Sequence, residues 1–453
     1  MAILRKNMFS KFWLFIICFP AIIFLLMSCS DDPSSVGFDL AYDTLDIFPL
    51  TSSDAPLITS TGNYYKHETM LNIPYFMLGR ASKLDDKLVS AVFMRFKNFT
   101  TIIGTNYDSL KVITGPDKIK QVKLIIYPAK YAIGDTLGSK QFEFSVYKIK
   151  KPWDNETKFI DFFPGEDVNN SPYIESLPYT SFAGELDYKD SLLNPIALDF
   201  DQVSAGALIY EWIEKQKRIQ KFLDDGGTID TTNIPDSLAY WGIALIPEGN
   251  TGLIRQFFGV TNSDTSKVAH LMIYYQRDNG ALDSFRLKAA LEGTIMNSGE
   301  PDLNSIVIQG VRTIRGEMKF DLSAIPKYSS IHKAQLELTL DKNKSYFGNL
   351  MPDSVLYAVT YTEGRSGYVE TENYASRVEG SDKYLFSSFI QPCELWANRK
   401  GTGTVNFIAR GSTVYLKPDR FVFYGNNETD TSLRPRLRLI YSKKPDYRKG
   451  GND

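Results

Sequence analysis

Histidine and cysteine are scarce in this chain, with three of each among 453 residues. His67, His270 and His332 lie far apart in sequence. That spacing argues against a His-based metal site or a nucleophile–histidine triad. Cys18 and Cys29 fall within the first thirty residues, and Cys393 stands alone among apolar neighbours in "FIQPCELW". Beyond the leader no intramolecular disulfide is available, and Cys393 reads as a buried, inert thiol. Charge of one sign is also missing: the net charge is −2. No concentrated basic face offers itself to nucleic acid. The G-x-S-x-G, H-E-x-x-H, P-loop and paired-cysteine motifs are absent, so no cofactor and no metal are expected. "DDGGTIDTTN" (Asp224 to Asn233) lacks the spacing and closing Glu of a calcium loop and reads as a turn. A glycosidase-type carboxylate pair stays open, because the 53 Asp and Glu residues need no proximity in sequence to meet in space.

What is present begins with an address. Arg5, Lys6 and Lys11 precede an apolar stretch from Phe12 to Leu26. At about 1.5 Å per residue this reaches roughly 22 Å, short of the about 30 Å hydrocarbon core. That is the length of a signal-peptide core behind its basic region; an uncleaved anchor is the alternative. "LMSC" (Leu26 to Cys29) resembles the lipobox of bacterial lipoproteins. The resemblance implies a signal peptide over 1–28, cleavage before Cys29, and lipidation of Cys29. Acyl chains at about 0.8 kcal/mol per buried methylene would make a durable anchor in outer-membrane lipid. Ser30, Asp31 and Asp32 are similar to the export signal of Bacteroidota surface lipoproteins, which implies the cell surface. Residues 29–41 read as a flexible tether and 444–453 as a polar tail.

Between tether and tail the chain alternates. "QVKLIIYP", "KQFEFSVYKI", "WGIALIP", "SVLYAVTY" and "RLRLIY" place apolar residues at every second position. Such alternation, with 29 Phe and 26 Tyr, predicts antiparallel strands with one buried face each. One segment has helical spacing: Ala205, Leu208, Ile209, Trp212, Ile213, Ile219, Phe222 and Leu223. It predicts an amphipathic packing helix, started by Asp201 or Ser204 and stopped by Gly226–Gly227.

The chain also repeats itself. Phe257 to Tyr275 aligns without a gap on Phe423 to Tyr441, sharing Phe, Gly, Asp-Thr-Ser, Leu and Tyr. Upstream, "FMRFKNF" matches "EMKFDLS", "IKQVKLIIY" matches "IHKAQLELTL", and "FMLGR" matches "IVIQGVR". This predicts mainly-β architecture: two tandem antiparallel β-sandwich modules, over 42–278 and 284–443, with one helix inserted in the first. Each module is expected to close with a final hairpin whose Asp-Thr-Ser turn bonds its own backbone.

At these residues the chain resembles the DNRLRE-type β-sandwich family, a carbohydrate-binding-module-like fold. Met318 to Pro326, Ile331, Ala334, Leu336 and Leu338, and Arg434 to Tyr441 carry the likeness; the first module fits more loosely. The layout is also similar to uncharacterised Bacteroidota lipoprotein families. The resemblance implies jelly-roll-like sandwiches and, more weakly, sugar binding. Flat aromatics beside polar groups would recognise a sugar. The candidate ligand contacts are Trp153, which a structural role also fits, and Tyr361, Arg365 and Tyr368 in an expected exposed loop. The expected protein is a non-enzymatic surface lipoprotein binding polysaccharide or glycoprotein. A scaffold subunit of an envelope complex, and less so a hydrolase or lyase, are the alternatives.

Overall fold

The structure is a computed structural model. It describes residues 46–443, except 66–69, 84–85, 97–112, 136–140, 155, 167–169, 187–193, 229–239, 250, 298–300, 312–313, 351, 353, 365–366, 400–402 and 410–416. The expected leader, Cys29, and the expected tether and tail lie outside the described residues, as do Arg365 and His67.

The fold is mainly β and antiparallel, of β-sandwich type. Two leading strands come first, β1 (Ile47–Thr51) and β2 (Ile58–Tyr65). The first copy then holds β3 (Met70–Leu71), β4 (Tyr75–Lys83), β5 (Asp86–Phe96), β6 (Ile119–Ile126), β7 (Pro128–Gly134), β8 (Gln141–Lys148), the short helix α1 (Phe159–Phe162), β9 (Thr180–Glu185), β10 (Ile196–Asp199), helix α2 (Gln202–Asp224), β11 (Ile243–Pro247), β12 (Leu253–Phe258) and β13 (His270–Gln276). Strand β14 (Leu282–Asn297) leads into the second copy. That copy holds β15 (Ile306–Gln309), β16 (Ile314–Phe320), β17 (Ser330–Thr339), β18 (Val355–Gly364), β19 (Gly367–Arg377), β20 (Lys383–Phe386), helix α3 (Ile390–Ala397), β21 (Thr404–Ala409), β22 (Arg420–Phe423) and β23 (Arg436–Ser442).

The two copies agree in register. Leu271 of β13 lies opposite Leu124 of β6, and Leu437 of β23 opposite Leu336 of β17. Phe257 of β12 lies opposite Phe76, and Phe423 of β22 opposite Ile306. Even the irregularities recur. The β6–β13 ladder slips by one residue at Lys120, and the β17–β23 ladder slips at the matching His332. The helices correspond as well: Trp212 of α2 packs against Phe96 at 6.1 Å between ring centroids, and Trp396 of α3 against Phe320 at 5.0 Å. The second copy thus has a short helix where the first has the long one.

The long helix forms where its spacing predicts. Asp201 accepts hydrogen bonds from the Ser204 amide and hydroxyl at its start, and Gly226 at φ +82° stands at its end. Its Ala205, Leu208, Ile209, Trp212 and Ile213 enter the first core with Phe96, Leu124, Phe144 and Leu271.

Three expectations need correction. First, β12 and β13 do not form a hairpin, nor do β22 and β23. Strand β12 pairs with β4 and β7, whereas β13 pairs with β6 and β14. The Asp-Thr-Ser segment carries the chain between layers. Its chemistry is local: Asp264 accepts from the Ser266 amide and hydroxyl, and Asp430 from the Ser432 amide. Second, besides the expected helix α2 in the first module, the second module carries the short helix α3.

Third, the module boundaries at 42–278 and 284–443 do not follow the sheets. Strands β1 and β2 precede the first copy but pair with β23 and β16 of the second. Strand β14 precedes the second copy but pairs with β13 and β5 of the first. The copies have exchanged their leading strands. The exchanged strands do the same work, because Ala289 lies opposite Phe96 and Ile58 opposite Phe320. Both then slip by one residue, at Ala290 and at Thr59.

The exchange also explains the repeated glycine. A Cβ on Gly259 would lie 2.1 Å from the Ile73 carbonyl oxygen, and one on Gly425 1.8 Å from that of Asn304. The next amide is then held from the exchanged strand. Val260 donates to Glu292 at 3.1 Å, and Asn426 donates to the Thr61 hydroxyl at 3.0 Å. A carboxyl and a hydroxyl perform one job at equivalent positions.

The copies also touch directly. Tyr131 donates to Asp419 at 2.6 Å, and Asp419 also accepts from the Gly348 amide. Burial first, then the neighbouring carboxylate, raise the Tyr131 phenol well above its ordinary value. Asn349 accepts from the Ala132 amide and donates to the Lys130 carbonyl. Met77, Ile133 and Ile254 pack with Val311 and Tyr346 beneath these bonds.

Candidate functional site

In the second sandwich five neighbouring strands run β2–β16–β21–β18–β19. Ile58, Met318, Phe320, Val405, Phe407, Leu356, Ala358 and Ala375 point into the core. Period-two alternation therefore turns the residues between them outward. One outward row reads Gly62, Glu317, Asn406, Val359, Glu372. Beside it, Arg315 on β16 and Ile408 on β21 continue to Tyr357 and Tyr374, which lie opposite each other on β18 and β19. On the other side Ser60 meets Lys319, and Lys319 meets Thr404.

This face is open. Tyr374 is 68% exposed, and a Cβ built on Gly62 meets nothing within 4 Å. Lys319 and Glu372 are exposed, whereas Arg315, Glu317, Asn406 and Tyr357 are half-buried. Lys319 pairs with Glu317 at 3.5 Å. Two tyrosines, two cations, two carboxylates and an amide thus share one sheet surface.

The first sandwich carries the same face, but closed. Ala91, Phe93 and Ala244 stand where the second copy has Arg315, Glu317 and Asn406, and all three are buried. The chain between β8 and β9 folds over them. Phe162 of α1 stacks on Phe93 at 3.9 Å between centroids, with Trp153, Phe163 and Ile174 around it. In the second copy the corresponding strands β18 and β19 are joined directly, with Gly364 opposite Gly367.

The sequence candidates fall on both faces. Trp153, expected as a partly exposed ring, is 3% exposed, and its indole donates to the Trp241 carbonyl at 2.9 Å. The Arg95 guanidinium lies 5.5 Å from the Trp153 ring and 4.9 Å from the Trp241 ring. Trp153 belongs to the cover of the first face, so it is unavailable to a ligand. Tyr361 and Tyr368 are strand residues of β18 and β19 rather than loop residues, opposite Glu370 and Glu363. Their register places them on the strands of the open face. Tyr357, Tyr374, Arg315, Glu317 and Asn406 were not singled out by sequence reasoning. Their alternation is visible in "SVLYAVTY" and "EMKF", but alternation does not say which outward face is covered.

Other clusters are structural. A polar cavity of about 280 Å³ lies at one end of the second copy, beside Asp302, Lys344, Tyr424 and Glu428. Its acids are already engaged. Asp302 accepts from the Asn304 amide, Ser305 hydroxyl and Lys344, and Glu428 from Thr429. Glu292 is fully buried, and burial raises its carboxyl well above the ordinary range. It holds the turn after Gly259 by accepting from the Val260 amide. Cys393 is fully buried, and burial pushes its thiol up, away from nucleophilic use. Among the described residues no group of three or more His, Cys, Asp or Glu is placed to hold a metal, and no helix is long and apolar enough to cross a membrane. The chain matches no family model, no curated protein and no solved structure.

Proposed function

We propose that this chain is a non-enzymatic lipoprotein of the outer membrane, held by acylated Cys29 and facing the cell surface, that binds polysaccharide or glycoprotein. The observation that carries the binding role is the open β2–β16–β21–β18–β19 face. It combines exposed and half-exposed tyrosine rings with a guanidinium, carboxylates and an amide. Sugar rings present apolar C–H faces that stack on aromatics, while their hydroxyls need both donors and acceptors. The lipobox-like "LMSC" and the acidic residues after it support the address. The likeness of the repeat to DNRLRE-type sandwiches supports the same reading.

Affinity gels and a glycan array with the chain from residue 30 onward test this. Retardation by at least one polysaccharide is expected, and uniform failure to bind overturns the reading. Mass spectrometry of membrane-extracted protein tests the anchor. A mature N-terminus at Cys29 carrying acyl mass is expected, and an unmodified Cys29 contradicts it.

A further inference from the structure

We infer that the protein has one glycan site per chain rather than two, that this site takes a neutral, extended polysaccharide across the open face of the second sandwich, and that the first sandwich's copy of the site is permanently filled by the chain's own Trp153 and Phe162. The inference rests on the binding reading above.

Valency follows from comparing the two copies of one face. Position by position the closed face carries Ala91, Phe93 and Ala244, and the open face carries Arg315, Glu317 and Asn406. Phe162 and Trp153 occupy the closed copy as aromatic occupants built into the fold. Their removal would expose Phe93, Ile246 and Ile295, which offer hydroxyls no partner. The open copy has the reverse character. Arg315 and Asn406 donate, Glu317 and Glu372 accept, and Tyr357 and Tyr374 supply ring faces. Duplication therefore left one working surface and one that was converted into core.

Ligand charge follows from the balance on the face. Arg315 and Lys319 are set against Glu317 and Glu372, Lys319 and Glu317 compensate each other at 3.5 Å, and the register adds Glu363 and Glu370 on β18 and β19. Such a surface has no excess of cations to draw an acidic polymer, which leaves a neutral one. Length follows from strand spacing: five strands about 4.8 Å apart span about 19 Å, room for several sugar rings laid across them.

The test uses the full chain in detergent. Native affinity gels contain xylan, laminarin or mannan as neutral probes, and polygalacturonate or heparin as acidic ones. Calorimetry with an oligosaccharide of the retarding polymer gives the stoichiometry. The variants are Tyr374→Ala on the open face and Ile160→Ser on the outside of α1, where Ile160 is 51% exposed. Expected are retardation by a neutral polymer, one oligosaccharide per chain, affinity lower by about tenfold or more in Tyr374→Ala, and unchanged affinity in Ile160→Ser. Two oligosaccharides per chain, or full affinity in Tyr374→Ala, overturns the inference. Retardation by acidic polymers alone overturns it while leaving the binding role standing. Retardation by no polymer removes both.

Discussion

Ile58 sits in β2, ahead of the first copy in sequence, yet its side chain is 4% exposed inside the core of the second. Truncating it should therefore loosen the far unit. Ile58→Ala removes three buried carbons opposite Phe320 and costs about 2–5 kcal/mol, depending on how far the cavity collapses. Leu287→Ala in β14 is the mirror perturbation: fully buried in the first core, at a similar cost of about 2–5 kcal/mol. Native-state hydrogen exchange resolves which unit opens, because sub-global unfolding is reported segment by segment. The expected energies correspond to roughly 30- to 4,000-fold faster exchange of the affected amides. Ile58→Ala should accelerate β16, β17 and β23 far more than β5, β6 and β13. Leu287→Ala should do the opposite. If Ile58→Ala instead loosens β5 and β13, each copy is closed by its own leading strand and the exchange is wrong.

Other perturbations separate the remaining claims. Glu292 titrates above its unfolded-state value in the fold, so its contribution to stability is full below the ordinary carboxylate range and declines as pH rises toward the raised value. Glu292→Gln keeps an acceptor for the Val260 amide, so denaturant melts should show the variant equal to wild type near about pH 4 and more stable near about pH 8. Gly425→Ala and Gly259→Ala force a Cβ onto a carbonyl oxygen; each should lower the unfolding free energy read from denaturant melts by about 1–3 kcal/mol or prevent folding. Tyr131→Phe removes one donor from buried Asp419 between the copies and should cost about 1–3 kcal/mol in urea melts.

Much of the architecture can be read from the chain. The repeated Phe, Gly and Leu of 257–275 and 423–441 mark strands that do occupy equivalent registers. The Trp212 stripe marks a helix because its period is 3.6 and its ends carry Asp201 and Gly226. What stays hidden is which strand pairs with which. Alternation fixes a strand's faces but not its neighbour. The exchanged strands share little beyond Gly293 and Gly62, since Glu292 and Thr61 hold the same turn by different chemistry. The crossing between β12 and β13 is hidden for a related reason. A polar Asp-Thr-Ser turn looks the same whether it joins paired strands or opposite layers.

The site was legible only in part. Trp153 between Pro152 and Asp154 suggests exposure by its neighbours, but Phe93 and Arg95, far away in sequence, bury it. Tyr361 and Tyr368 stand out in the sequence as a pair around an Arg, and they lie on β18 and β19, two strands of the proposed face. Tyr357 and Tyr374 became visible only once the first copy supplied a covered face for comparison.

The exchange of leading strands is tested most directly by cross-linking across the register. Ser60 lies opposite Lys319 in the second sandwich, and both are exposed. With Cys393 replaced by Ala, Ser60→Cys combined with Lys319→Cys should form an intrachain disulfide rapidly under mild oxidation, read by peptide mass spectrometry. Ser60→Cys combined with Arg95→Cys, the matching position in the first sandwich, should form none. The reverse pattern would contradict the account.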